Sequence, residues 1–325
     1  MISRVAESCF WLHRYIERAD NTARLLRVNR SFVLDVPLPA KNRWRPVIVV
    51  SGEEQRFTER FSVDAMSDSQ KVQHYLTWDE DNPVSIVNSI RWARENARTI
   101  REVISVEMWE VLNDLWHWLR TGPGPALYGE DRDEFYQWVQ SQNALFQGLC
   151  QNTVLHEQPF DFMHLGMLLE RAGQSARIID VEHHALGDLS SSGTAESAPE
   201  AAHWLALLHM CSAYEPFFKR NRRAPHGGAV IAFLVLEPRF PRSVLYCLDQ
   251  AWHYLRRVGA STGRGGEVKS APLLADLVAS MHTQSRKELL SAGVHHELTR
   301  VIDATTAICE AISDDYFNPT FSALS

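Results

Sequence analysis

The chain has 325 residues and a formal net charge of −7, with 45% hydrophobic and 22% charged residues, the make-up of an ordinary globular protein large enough for two domains or one body. Mild acidity argues against a nucleic-acid surface as the main function. The longest apolar run, Val230 to Leu236, falls well short of the ~20 residues that span a bilayer, so no membrane association is expected.

The first predicted element is a helix over residues 1 to 30, without Pro or Gly, on which Leu12, Tyr15, Ile16, Ala19, Ala23 and Leu26 form one stripe. Pro37, Pro39 and Pro46 mark a loop. The apolar run Trp44 to Ser51 fits helix or strand by periodicity and is read as buried helix. Residues 64 to 76 are predicted helical, with Asp64, Ser67 or Asp68 as cap. A turn at Thr77 to Pro83 leads into a long helix reaching towards Ser105, and further helices are predicted over Val106 to Arg120 and Phe135 to Val154. The next helix runs to about His184, and a small, polar loop follows over Gly187 to Pro199. Val230 to Leu236 is again read as buried helix. Ser243 to Val258 is helical, Gly259 to Gly266 is a break, and two helices over about 270 to 291 and 294 to 314 close the chain. The fold class is therefore all-α.

One stretch occurs twice. Residues 167 to 179 repeat residues 14 to 26 at a constant offset of 153 (17 to 170, 24 to 177). Glu17, Arg18, Ala19, Ala23 and Arg24 match Glu170, Arg171, Ala172, Ala176 and Arg177, while Asn21 becomes Gln174. Such a pattern is what a duplicated unit leaves behind. Pro241 and Ser243 also stand where Pro83 and Ser85 stood. Two similar helical halves, 1–158 and 159–325, packed into one body are expected.

Glu17, Asn21 and Arg24 share a helix face, as do Glu170, Gln174 and Arg177. If these faces converge, two readings arise. The groups form an ion-pair network that fixes packing, because an unpaired buried charge is costly. Alternatively they line a ligand pocket, since Arg holds carboxylate or phosphate bidentately and two carboxylates can divide acid and base roles. Arg94, Asn96, Arg98 and Arg242 are secondary candidates, for a solvated salt-bridged face or an anion-binding one. Glu182-His183-His184 and His295-His296-Glu297 are metal-capable types. Adjacent histidines on a helix point apart, so they are read as surface groups and no metal is expected. The basic run Lys219 to Arg223 is read as solvated. The five cysteines lie far apart without a Cys-x-x-Cys pair, which suits buried small hydrophobes in a reducing, cytoplasmic setting, and the first residues lack a signal-peptide core. No Walker, dinucleotide or nucleophile-elbow motif is present, and no cofactor is expected.

Ser3-Arg4-Val5-Ala6-Glu7, the run Arg14 to Arg24, Asn82-Pro83 through Arg98, Glu107 to Glu110, Leu169 to Ala172 and Phe240 to Val244 together resemble the alpha-E family over nearly the whole chain. The resemblance implies an all-helical bacterial protein of unestablished activity, associated with circularly permuted ATP-grasp and transglutaminase-like proteins. A partner role beside an ATP-grasp peptide or amide ligase is the implied function. No ATP-grasp segment is present, so the implied form is a separate, stand-alone partner. An enzyme using Glu17/Glu170 and Arg24/Arg177 on an amide or phosphate-bearing substrate is the alternative. Gly173 departs from the pattern where the first copy has Asp20.

Overall fold

The computed structural model describes residues 3–36, 39, 43–187, 198–222, 224–263, 268–291 and 293–318. Every regular element among them is a helix, and they contain no strand.

Two long helices form the axis. Helix α1 spans Ser3–Asp35, 33 residues or about 50 Å. It is not amphipathic in the usual sense, because neighbours surround it and it buries polar residues such as Glu17, Asp20 and Arg24 beside Leu12, Ile16 and Leu26. Its main partner, α9 (Gln158–Gly187), admits Pro159 in its first turn, where no helical N–H is lost. The two backbones touch at Gly166. A Cβ there would lie 2.3 Å from the Phe10 carbonyl oxygen, so only glycine permits the crossing.

Shorter helices wrap this pair: α2 (Arg45–Ser51), α3 (Glu54–Arg60), α4 (Ser69–Thr77), α5 (Ile86–Thr99), α6 (Val106–Arg120), α7 (Gly124–Glu130) and α8 (Arg132–Thr153) before α9. After it come α10 (Ala198–Met210), α11 (Tyr214–Arg220), α12 (Gly227–Leu236), α13 (Val244–Thr262), α14 (Ser270–Thr283), α15 (Arg286–Ser291) and α16 (Val294–Ile312). Helix α1 packs on α5 and α8, and α9 packs on α13 and α16. The helices that follow each long one change partners: α2 lies on α9, and α10 lies on α1.

Both apolar runs of ambiguous periodicity are helical and buried, Val47, Ile48 and Val50 in α2 and Val230, Ile231, Leu234 and Val235 in α12. Several boundaries differ from the sequence reading. Helix α5 stops at Thr99 instead of running towards Ser105, so Ile100 and Ile104 are buried from a turn. The segment 64–76 begins as a 3₁₀ turn, Asp64–Ser67, and the helix proper starts after Asp68, whose carboxylate accepts from the Gln70 and Lys71 amides. The single helix expected over 270–291 is two, broken at Gln284 and Ser285, where Ser285 and Glu288 cap a new start. Helix α13 runs past Gly259 to Thr262, and Gly263 ends it in the left-handed region at φ 70°. Most of the 187–199 loop and residues 264–267 lie outside the described residues.

Matching caps start α5 and α13. Ser85 Oγ accepts from the Asn88 amide at 3.3 Å, and Ser243 Oγ accepts from the Tyr246 amide at 3.1 Å. The Pro241–Ser243 turn carries Arg242 into the centre of the molecule.

Candidate functional site: an exchanged Glu-Arg clamp

The α1–α9 crossing brings the two copies of the motif together, and each carboxylate takes the arginine that follows the other. Arg171 Nε and Nη2 donate to Glu17 Oε1 and Oε2 at 2.9 and 2.7 Å. Arg18 Nε and Nη2 donate to Glu170 Oε1 and Oε2 at 2.8 and 3.1 Å. Both are fork-to-fork pairs, the strongest ion-pair geometry available to side chains.

A second arginine completes each site from a different place. Arg242 Nη1 donates to Glu17 Oε1 at 2.9 Å, while its Nη2 reaches Asp20 Oδ2 at 3.0 Å. At Glu170 the second cation is Arg14, whose Nε donates to Oε2 at 2.9 Å. Gln147 on α8 and Asn21 donate to Glu17 at 3.3 Å each, and Gln174 is 3.5 Å from Glu170.

Arg24 and Arg177 do not bind the motif glutamates. Arg24 is buried, donates to Asp20 at 2.6 Å and to the Met210 carbonyl at 2.8 Å, and bonds the Asn21 side chain. Arg177 is half-buried. Among the described residues it has no carboxylate within ion-pair distance and no hydrogen bond. Of the arginines that the repeated motif offers, Arg171 and Arg18 take the two glutamates, across the crossing, and Arg24 and Arg177 do not. Residues one apart diverge by about 100° on a helix, so the second residue of each pair is aimed across the crossing at the opposite glutamate.

Burial would push both carboxyls up, but the guanidinium groups win. Arg171 and Arg242 hold Glu17 well below the usual carboxylate range, and Arg18 and Arg14 lower Glu170 to about 2. Burial alone lowers Arg171, and Glu17 more than reverses it. Both glutamates are thus firmly ionised and saturated with donors, a poor state for a general base. The thiols are no better as nucleophiles: burial pushes Cys150, Cys211 and Cys247 up to about 12.

The secondary candidates divide. Arg242 belongs to the clamp. Arg94 donates to Asn113 and Glu95 and lies over Trp109, Arg98 pairs with Glu95 in solvent, and Asn96 bonds the Trp92 carbonyl. These three form a salt-bridged outer face of α5 and α6, apart from the clamp. The two histidine pairs meet in part. His184 Nδ1 is 3.5 Å and His295 Nδ1 2.8 Å from Asp180 Oδ1, a group with metal-ligand spacing. Reading each pair alone missed this, because the third member comes from another helix.

Sequence reading gave no clamp role to Arg14, Asp20 or Gln147. Asp20 was visible as the acid four residues before Arg24, an i, i+4 ion-pair spacing. Arg14 had no such signal, because the residue one turn on is another arginine, Arg18, and its carboxylate comes from the other long helix. Nothing in the sequence distinguished Gln147.

A body whose every regular element among the described residues is a helix, clamped by two exchanged Glu-Arg pairs at the crossing of its two longest helices, is first of all a helical domain defined by that doubled motif. The chain belongs to the Alpha-E family, described as a predicted alpha-helical domain with a conserved ER motif, whose profile matches residues 1–317. A third Glu-Arg dipeptide, Glu59-Arg60, lies outside the clamp, with Arg60 bound to Asp79 and Asp81. Uncharacterized proteins of Mycobacterium bovis and Mycobacterium tuberculosis are 22% identical to the chain over 96% of its length. The chain spans 36% of the length of these curated relatives. No solved structure matches it significantly. No helix among the described residues is long and apolar enough to cross a membrane.

Proposed function

We propose that the chain is a binding module, a non-catalytic partner of an ATP-grasp-type peptide or amide ligase system. The observation that carries this reading is the saturation of both motif carboxylates, Glu17 by Arg171 and Arg242 and Glu170 by Arg18 and Arg14. A group so held orders a scaffold and cannot take a proton near neutral pH. The ligase as partner comes from the family resemblance.

We infer, with this, that the body arose by duplication, its halves 1–158 and 159–325 meeting at the first turn of α9. Support comes from the repeated motif, the paired Ser85 and Ser243 caps, and the correspondence of α1, α5 and α8 with α9, α13 and α16. The exchange of α2 and α10 between the two long helices is what a pseudo-twofold axis at the crossing produces.

The test uses purified chain and an ATP-grasp ligase from the same organism. Co-purification, together with a changed ligase turnover on adding the chain, is expected. A transglutaminase-like protein serves as second bait. No association and no change in turnover would overturn the partner reading. Conversion of an amide or phosphate-bearing substrate by the chain alone, lost in Glu17→Gln and Glu170→Gln, would instead support the enzyme reading.

A further inference from the structure

We propose that Asp180 and His184 of α9 and His295 of α16 form a binding site for a divalent metal ion of the zinc class. The inference stands apart from the partner reading and has its own test.

The three side chains meet where the start of α16 packs on α9. Asp180 and His184 are four residues apart, so α9 presents them on one face. His295 comes from the first turn of α16. His295 Nδ1 is 2.8 Å and His184 Nδ1 3.5 Å from Asp180 Oδ1, and the two imidazole rings stand nearly perpendicular with centroids 4.4 Å apart. One ligand atom from each residue lies within 4.8 Å of the other two. Donors bound to a tetrahedral zinc ion at about 2.0–2.2 Å are roughly 3.3–3.6 Å from one another, so small side-chain rotations close this set around an ion. Adjacent histidines still point apart, and each sequence pair gives a single member to the cluster.

Charge favours an ion here. The Asp180 side chain is 14% exposed, and among the described residues its ion-pair partners are these two histidines, which carry charge only when protonated. A largely buried carboxylate without a permanent counter-ion gains from a bound cation. Two imidazoles with a carboxylate suit zinc, whereas magnesium and calcium take oxygen donors. His184 Nδ1 also lies 2.9 Å from the Asp180 carbonyl oxygen. A proton donated there leaves the other ring nitrogen basic, the usual state of a ligating histidine. The frame is fixed, because Ile179 beside Asp180 and Val294 and Leu298 on either side of His295 are buried. Both rings are more than half exposed, so an ion enters from solvent without opening the core. Three protein ligands leave a fourth position for water.

The experiment titrates Zn²⁺ alone into the metal-stripped full chain by calorimetry, with thermal melts alongside. A single saturable ion per chain and a raised melting temperature are expected for the parent. Binding should weaken about tenfold or more in His295→Ala and in Asp180→Asn, and their melts should no longer respond to Zn²⁺. His296→Ala, which removes the neighbouring exposed ring, should bind as the parent does. If Asp180→Asn fails to fold, His184→Ala and His295→Ala decide, since each removes an exposed ring. Absence of saturable Zn²⁺ binding to the parent, binding unchanged in His295→Ala, equal weakening in His296→Ala, or displacement of Zn²⁺ by an equal concentration of Mg²⁺ would each overturn the proposal.

Discussion

The two motif sites have the same sequence core and the same fork-to-fork pairing, yet they are different environments. The Glu17 site is the more closed: Glu17 is 0% exposed, and Asp20, Arg24 and Arg171 are buried with it, while Arg242 reaches it from a half-buried position. The Glu170 site is open on one side, where Arg14, Arg18, Gln174 and Arg177 are all half-buried. The closed site has a second acid, Asp20, and an arginine brought by the α13 cap turn, whereas the open one has no second acid and draws its arginines from the two long helices. Repetition of a motif thus preserves a pairing but not an energetic role, because cost and gain depend on how far water is excluded.

Single substitutions sharpen this contrast most. Glu17→Gln leaves Arg171 without a buried counter-charge and Arg242 with Asp20 alone, and should lower unfolding free energy by ~3–5 kcal/mol. Glu170→Gln should cost ~1–2 kcal/mol, because Arg14 and Arg18 can turn to solvent. Urea melts at pH 7 measure both. Equal losses would break the closed-versus-open distinction.

Acid should attack the closed site first. His13 lies one turn before Glu17, and His164 is in the field of Arg171. Burial lowers them from 6.5 to about 3 and about 4. The unfolded chain takes up protons below pH 6.5 that the folded chain refuses until about pH 4, so stability is full above pH 6.5 and falls through that window. The contribution of His164 is roughly 3 kcal/mol. Glu170, lowered from 4.5 to about 2, adds a later loss between those values. Denaturant midpoints between pH 7 and 5 should drop in the parent and drop less in His13→Leu.

The smaller effects concern the position at which the copies differ. Asp20→Asn weakens the anchors of Arg24 and Arg242 together and should cost ~1–3 kcal/mol. Gly173→Asp should add ~0.5–1 kcal/mol, by pairing Arg177 and removing a helical glycine. Thermal melts of both are expected to move in opposite directions. A destabilising Gly173→Asp would show that the open site has no room for the acid.

Much of this was legible beforehand. Helical periodicity in the long segments gave the fold class, and the 153-residue offset located the two motifs. What failed was local. Ile100 and Ile104 continue the α5 stripe, but they pack from a turn after the helix has ended, and periodicity does not distinguish the two. Glu17 and Arg24 share a face, which left open whether each glutamate takes an arginine of its own helix or of its partner. Their true partners follow from the crossing at Gly166, a backbone approach that no side-chain pattern announces. Arg242 was visible only as an arginine near a proline, and its role needed the turn that carries it inward.

The exchange also has a consequence for synthesis. Glu17 leaves the ribosome 154 residues ahead of Arg171, its principal counter-ion. At ordinary translation rates that is a wait of roughly 8–30 s. During it α1 carries a carboxylate that dehydration would penalise heavily, so the nascent helix has reason to stay hydrated and undocked. Arg242 arrives later still. The amino-terminal segment is thereby held back from premature closure by its own chemistry, and burial of α1 becomes a late, concerted event that waits for α9.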